Sequence, residues 1–181
     1  MKRILIALPL LLIPTVALAH PGHGFGFEAG FLHPFTGTDH LLAMIGVGLW
    51  AAILGGRARW ALPGGFLATM ALGGAFAMNL GLGAAAAAVE PAIIASVIML
   101  GAVAALALRA PLAAALPLVG LFGLAHGAEM VGNGLAFGAV MLTATALLHG
   151  AGLALGMTLN SKLARALGGA TAIAGLALAF A

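Results

Sequence analysis

LAFGAVMLTATALLHGAGLALGMTL, residues 135–159, decides the fold. The stretch contains no Asp, Glu, Lys or Arg, and it exceeds the ~20 residues that a helix needs to cross the hydrocarbon core of a bilayer. Its Ala, Leu and Gly do not alternate with polar residues as a barrel strand would require. A helix, which satisfies its own backbone, is therefore the spanning element. Similar stretches run over 38–54, 61–80, 91–108, 112–127 and 163–180. Breakers set these limits, because periodicity fades where both helix faces are apolar. A short interfacial helix is expected over 25–32, stopped before Pro34.

The whole chain agrees with that stretch. Of its 181 residues 64% are hydrophobic and 6% charged, with a mean hydropathy of +1.21. A soluble domain carries roughly 25% charged residues, so this chain cannot build a water-facing surface. The expected fold class is an all-α integral membrane protein, a compact bundle of about six transmembrane helices. The net charge of +3 does not indicate nucleic acid, because the Lys and Arg are scattered and form no basic face. There is no Cys, which excludes disulfides, thiolate metal sites and a thiol nucleophile. Gly numbers 28, with small-residue spacings at Gly134/Gly138 and Gly152/Gly156 that let helix backbones approach.

Lys2-Arg3, an apolar run from Ile4 to about Val16, and Ala17-Leu18-Ala19 follow the order of a secretory signal peptide. The expected organisation is a leader over 1–19 and a single transmembrane helical domain over 20–181. An uncleaved first helix is the alternative. Cleavage after Ala19 would leave His20-Pro21-Gly22-His23 at the terminus. The terminal amine with the imidazoles of His20 and His23 could chelate a divalent metal; a plain polar leader is the bland alternative. With that terminus outside, the loops at Arg57/Arg59, Arg109 and Lys162/Arg165 all fall inside, as the positive-inside rule expects. Trp50 and Trp60 flank the first inner loop, while Glu28, Asp39, Glu90 and Glu129 lie near the outer ends. The expected location is the inner membrane of a bacterium, multi-pass, with the mature N-terminus periplasmic.

An ionisable group in lipid costs roughly 2.5 kcal/mol or more at mid-helix, so the few present are functional candidates. In His33-Pro34-Phe35-Thr36-Gly37-Thr38-Asp39-His40 the backbone breaks just before a helix whose first turn holds Asp39 and His40. Asp39 alone could be a simple N-terminal dipole partner. That does not explain His40, or His33 across the break, which a bend at Pro34 could fold back toward the pair. His126 and Glu129, spaced i and i+3, share one helix face; a plain carboxylate–imidazole hydrogen bond is the alternative. His149 falls deep in the fifth span, where a hydrogen-bonded core histidine is the alternative. Glu90 precedes Pro91, which suits a first helical position, and could be only an N-terminal charge. Met44, Met130 and Asn79 are weaker candidates. A mixed nitrogen and oxygen set of this kind suits Ni²⁺, Co²⁺, Zn²⁺ or Mn²⁺.

HPFTGTDHLLAMIGVGLWA, from His33 to Ala51, resembles the HupE/UreJ family of bacterial nickel permeases, in which an H-P-x-x-G-x-D-H pattern opens the first mature helix. His33, Pro34, Gly37, Asp39 and His40 match it in order. His126 and Glu129 resemble the family's later H-G-x-E element, Glu90 its acidic helix start, and HPGHG at 20–24 its mature start. His149 has a less firm counterpart and rests mainly on depth. The resemblance covers essentially the whole chain. It implies secondary transport of nickel, with cobalt as an alternative cargo, serving hydrogenase or urease maturation. The metal would be cargo and not a catalytic cofactor. The implied partners are the divalent ion and the bilayer, with a second copy of the chain or a cytoplasmic metallochaperone as protein partners.

The rival reading is a metal-binding assembly subunit of a larger membrane complex. An intramembrane metalloenzyme is disfavoured, because H-E-x-x-H and dense histidine boxes are absent. No nucleotide-binding loop is present in the sequence. Metal competes with protons for imidazole, so protonating ligand histidines near pH ~6 weakens binding. Uptake of the ion is therefore expected to be slower at pH of about 5.5 than at about 7.5; faster uptake in acid, with metal binding measured in parallel, would count against histidine ligands.

Overall fold

The structure, a computed structural model, describes residues 27–80, 86–130 and 134–181, with the backbone alone of 86–88. The expected leader, His20 and His23 lie outside the described residues. Every regular element among the described residues is a helix: α1 (Phe27–Thr36), α2 (Thr38–Leu54), α3 (Ala58–Leu80), α4 (Ala86–Ala105), α5 (Leu112–Ala128), α6 (Gly134–Thr158) and α7 (Ser161–Leu178). By length and composition α3 and α6 can each cross a membrane, and α1 with α2, bent by 76° at their junction, passes as a pair. Val89–Ala105 of α4 and the whole of α5 are shorter apolar helices. The 17 residues of α5 cover about 25 Å of rise, slightly less than the hydrocarbon thickness.

The two largest boundary differences from expectation, both at prolines, have physical reasons. α1 does not stop before Pro34 but carries it inside and ends at Thr36. A proline at 34 forfeits the single bond to the Gly30 carbonyl, while the Gly37 N–H still donates to the His33 carbonyl at 3.2 Å. The break falls instead at Gly37, in extended conformation (φ −76°, ψ 116°). His33 therefore sits in the last turn of α1. α4 starts at Ala86, so Pro91 is interior and not its first residue. The alanines at 86–88 are strong helix formers and carry the helix upstream of Pro91.

Three helix pairs, α2/α6, α3/α5 and α4/α7, form the most extensive contacts. Each is zipped by glycine. A Cβ placed on Gly48 of α2 would stand 2.1 Å from the His149 carbonyl oxygen, and one on Gly152 of α6 2.1 Å from that of Ile45. In α5, a Cβ on Gly123 would meet the Phe66 carbonyl oxygen at 2.5 Å, and one on Gly127 that of Met70 at 2.1 Å. Gly101 of α4 and Gly168 of α7 are similarly blocked by backbone nitrogens. The Gly152/Gly156 spacing is thus a packing seam against α2. Gly134 meets nothing within 4 Å and instead supplies a φ of +78° where α6 begins.

Leu72, Phe76, Leu121, Leu135, Leu147 and Ile173 point outward, more than half exposed. Apolar exposure on this scale suits lipid as the solvent. One end of the bundle is basic. There Trp50 Nε1 donates to the Leu108 carbonyl at 3.0 Å, Arg165 Nε to that of Ala105 at 2.8 Å, and Arg57 and Arg109 line one cleft. Asp39, Glu90 and Glu129 lie toward the other ends of their helices.

Gly152→Ala is expected to cost about 3 kcal/mol, because backbone on the facing helix cannot yield as a side chain would. Gly150→Ala, where nothing lies within 4 Å, should stay within about 1 kcal/mol of wild type or gain from helix propensity. Thermal denaturation in detergent separates the two; equal behaviour would contradict the packing described.

Candidate metal-ligating site

The 76° bend at Gly37 brings the last turn of α1 over the first turn of α2. The His33 and His40 rings meet edge-on with centroids 4.7 Å apart. Gly37 keeps this corner open: a Cβ there would lie 3.0 Å from Asp39 Oδ1 and 3.1 Å from His40 Nδ1. Glu129, the C-cap of α5, reaches into the same corner. Its Oε2 lies 2.5 Å from His40 Nε2 and 3.3 Å from His33 Nε2. On the other side of the ring, His40 Nδ1 is 3.1 Å from Asp39 Oδ2. His40, 4% exposed, is therefore held at both nitrogens by carboxylates from two helices. Burial alone would raise the Glu129 carboxyl, but the His40 and His33 imidazoles outweigh it and hold it below the ordinary carboxylate range.

One ligand atom each from His33, His40 and Glu129 fits within 4.8 Å of the others, a spacing that could hold a metal ion. Asp39 stands behind His40, where it can orient the ring as outer-shell carboxylates do. Glu90 on α4 is exposed, and its charge neighbours are Asp39, Glu129, His40 and His33.

His126 and His149 lie deeper and are fully enclosed. The His126 ring meets His40 edge-on at 4.9 Å, and its Nδ1 donates to the Phe122 carbonyl at 2.8 Å. His126 is therefore not hydrogen-bonded to Glu129, despite their shared helix face. His149 Nδ1 donates to the Met44 carbonyl, across the α2/α6 seam, at 2.8 Å. Carbonyls only accept, so in both neutral rings Nδ1 carries the proton and Nε2 presents a lone pair. Neither Nε2 has a hydrogen-bond partner among the described residues. Phe66, fully buried on α3, touches both rings, at 5.2 Å from His126 and 4.9 Å from His149. The rings thus form a contiguous series, His33, His40, His126, Phe66 and His149, running from the polar end into the core.

Among the weaker candidates, Met44 and Met130 are buried packing residues, and the Asn79 side chain donates to its own helix at Ala75. Sequence reasoning did not single out Phe66 or Thr145. Thr145 Oγ1 is buried without a partner, and the available clue was its i, i+4 spacing to His149.

A family model described as HupE / UreJ protein matches residues 8–178. The chain is 40% identical to Protein HupE of Rhizobium leguminosarum bv. viciae over 188 residues, covering 98% of this chain and 97% of that one. No solved structure matches it.

Proposed function

From the premise that this chain belongs to the HupE/UreJ family, we propose that it is a secondary transporter carrying Ni²⁺ from periplasm to cytoplasm for hydrogenase or urease maturation. The observation that carries this reading is the His33–His40–Glu129 trio at the polar end, continued inward by two histidines with bare Nε2 atoms. A hydrated divalent ion entering a bilayer needs its shell replaced. The Glu129 carboxylate, with Asp39 and Glu90 near it, offsets the cation's charge, and the imidazoles supply nitrogen donors. His126 and then His149 receive the ion deeper in the bundle. His20 and His23 concentrate it outside.

In this reading the mature chain begins after Ala19 with a periplasmic terminus, and about six spans cross the inner membrane with the shorter helices included. The protein performs no catalysis. The membrane potential favours inward movement of a divalent cation by ~4.6 kcal/mol per 100 mV, twice the single-charge value. Cobalt satisfies the same donor set, so competition between the two ions ranks them as cargo.

Uptake of ⁶³Ni by nickel-starved cells tests the reading. At matched membrane abundance, Glu129→Gln and His40→Ala should each lower uptake by about tenfold or more. Asn79→Ala, at a side chain bonded only within its own helix, should remain within about twofold. Wild-type uptake by Glu129→Gln would sink the assignment of the site. No uptake by the intact, correctly inserted chain would favour the assembly-subunit reading.

A further inference from the structure

Threonines within these helices normally turn the hydroxyl back onto their own backbone. Thr69, Thr143, Thr158 and Thr171 each donate to the carbonyl four residues earlier, at 2.8–3.0 Å. Thr145 does not. Its Oγ1 is fully enclosed and has no partner among the described residues, although the same bond would be open to it in the middle of α6. One turn further along the same face stands His149, whose Nε2 is also enclosed and bare. Residues spaced i and i+4 have Cβ atoms roughly 6 Å apart, so one small ligand can reach both side chains.

An unsatisfied buried hydroxyl or imidazole is unfavourable, and two on one helix face call for a common occupant. The His149 ring is fixed for that purpose. Its Nδ1 is committed to the Met44 carbonyl and its ring meets Phe66 in a T-shaped contact, which leaves Nε2 as a lone-pair donor with a set direction. No described carboxylate is paired with either group, in contrast to the outer trio, which holds Glu129 and has Asp39 beside it.

We propose that Thr145 Oγ1 and His149 Nε2 form an inner coordination station for the permeating divalent cation, distinct from the outer trio and separated from it by His126 and Phe66. This rests on the transport reading above. A neutral hydroxyl–imidazole pair binds a divalent cation more weakly than a carboxylate-bearing cluster. Conduction needs such a site, one that partly replaces the ion's hydration shell inside the bundle and is weak enough to release it. Thr145 is thereby a ligand and not core filler.

The test uses the full-length chain, purified and reconstituted in vesicles, with Ni²⁺ as the probe. Equilibrium binding to the outer site and the uptake rate at saturating Ni²⁺ are measured for wild type, Thr145→Val and Thr145→Ser. Valine keeps the shape and removes the oxygen; serine keeps the oxygen. Thr145→Val should bind Ni²⁺ at the outer site within about twofold of wild type and transport about tenfold more slowly, as loss of one coordinating oxygen implies. Thr145→Ser should recover the rate. Wild-type transport by Thr145→Val would mean that the pair holds only a structural water, and a serine variant as slow as valine would reduce Thr145 to packing; either overturns the station. A wild-type chain that neither binds nor moves Ni²⁺ overturns the transport reading and the station with it, an outcome distinguished by the wild-type lane alone.

Discussion

Backbone lies directly on backbone where α2 crosses α6 and where α5 crosses α3, and most of the interior follows from that closeness. Lipid offers apolar helices no hydrophobic reason to associate, so contact area and buried polar bonds must supply the association. Gly48 and Gly152 remove the side chains that would hold α2 and α6 apart. Only at that separation can His149 Nδ1 reach the Met44 carbonyl on the facing helix. Gly123 and Gly127 do the same for α5 against α3, which sets His126 and Phe66 ring to ring. The glycine seams therefore position the chemistry as well as the fold.

The polar end is organised differently, by charge and a bend. Gly37 allows α1 to turn back over α2, so that His33, Asp39 and His40, separated by few residues, become one surface. Glu129 arrives from a distant part of the chain and completes it, accepting from two imidazoles through one oxygen. A cluster that joins α1, α2 and the end of α5 also ties these segments together, beside the close packing of α1 on α6 at Gly30. In the transport reading, an entering cation takes the place of the imidazole protons at Glu129. Capture would thus use the same contacts that organise the empty site.

Much of this was legible in the sequence, and the limits are instructive. α2 matches the expected 38–54, because Gly37 and Gly55 bracket an uninterrupted apolar run. The end of α1, the start of α4 and the placement of their prolines were less legible. Pro34 and Pro91 were read as boundaries, yet each costs a single backbone bond, and neighbouring residues favour helix strongly enough to continue through it. The length argument predicts about six spans, whereas α5 and the bent α1/α2 pair show that apolar character and full spanning length need not coincide in one straight helix. At the site, the proximity of His33, Asp39 and His40 could be read from Pro34 and Gly37. The joining of Glu129 to His40 could not, because no local spacing encodes a contact 89 residues apart. Thr145 and Phe66 were invisible for the same reason: a mid-helix threonine and a core phenylalanine look ordinary until their neighbours are known.

Everything proposed for transport depends on the imidazoles of His33 and His40 and the carboxylate of Glu129 binding a divalent cation as one cluster. X-ray absorption at the nickel K-edge, on purified full-length protein loaded with one equivalent of Ni²⁺, addresses it directly. The expected spectrum has nitrogen and oxygen neighbours with the more distant scattering of imidazole rings, and that imidazole signature is lost in a His33→Ala, His40→Ala double variant. A wild-type spectrum of oxygen ligands alone, without imidazole scattering, would contradict it.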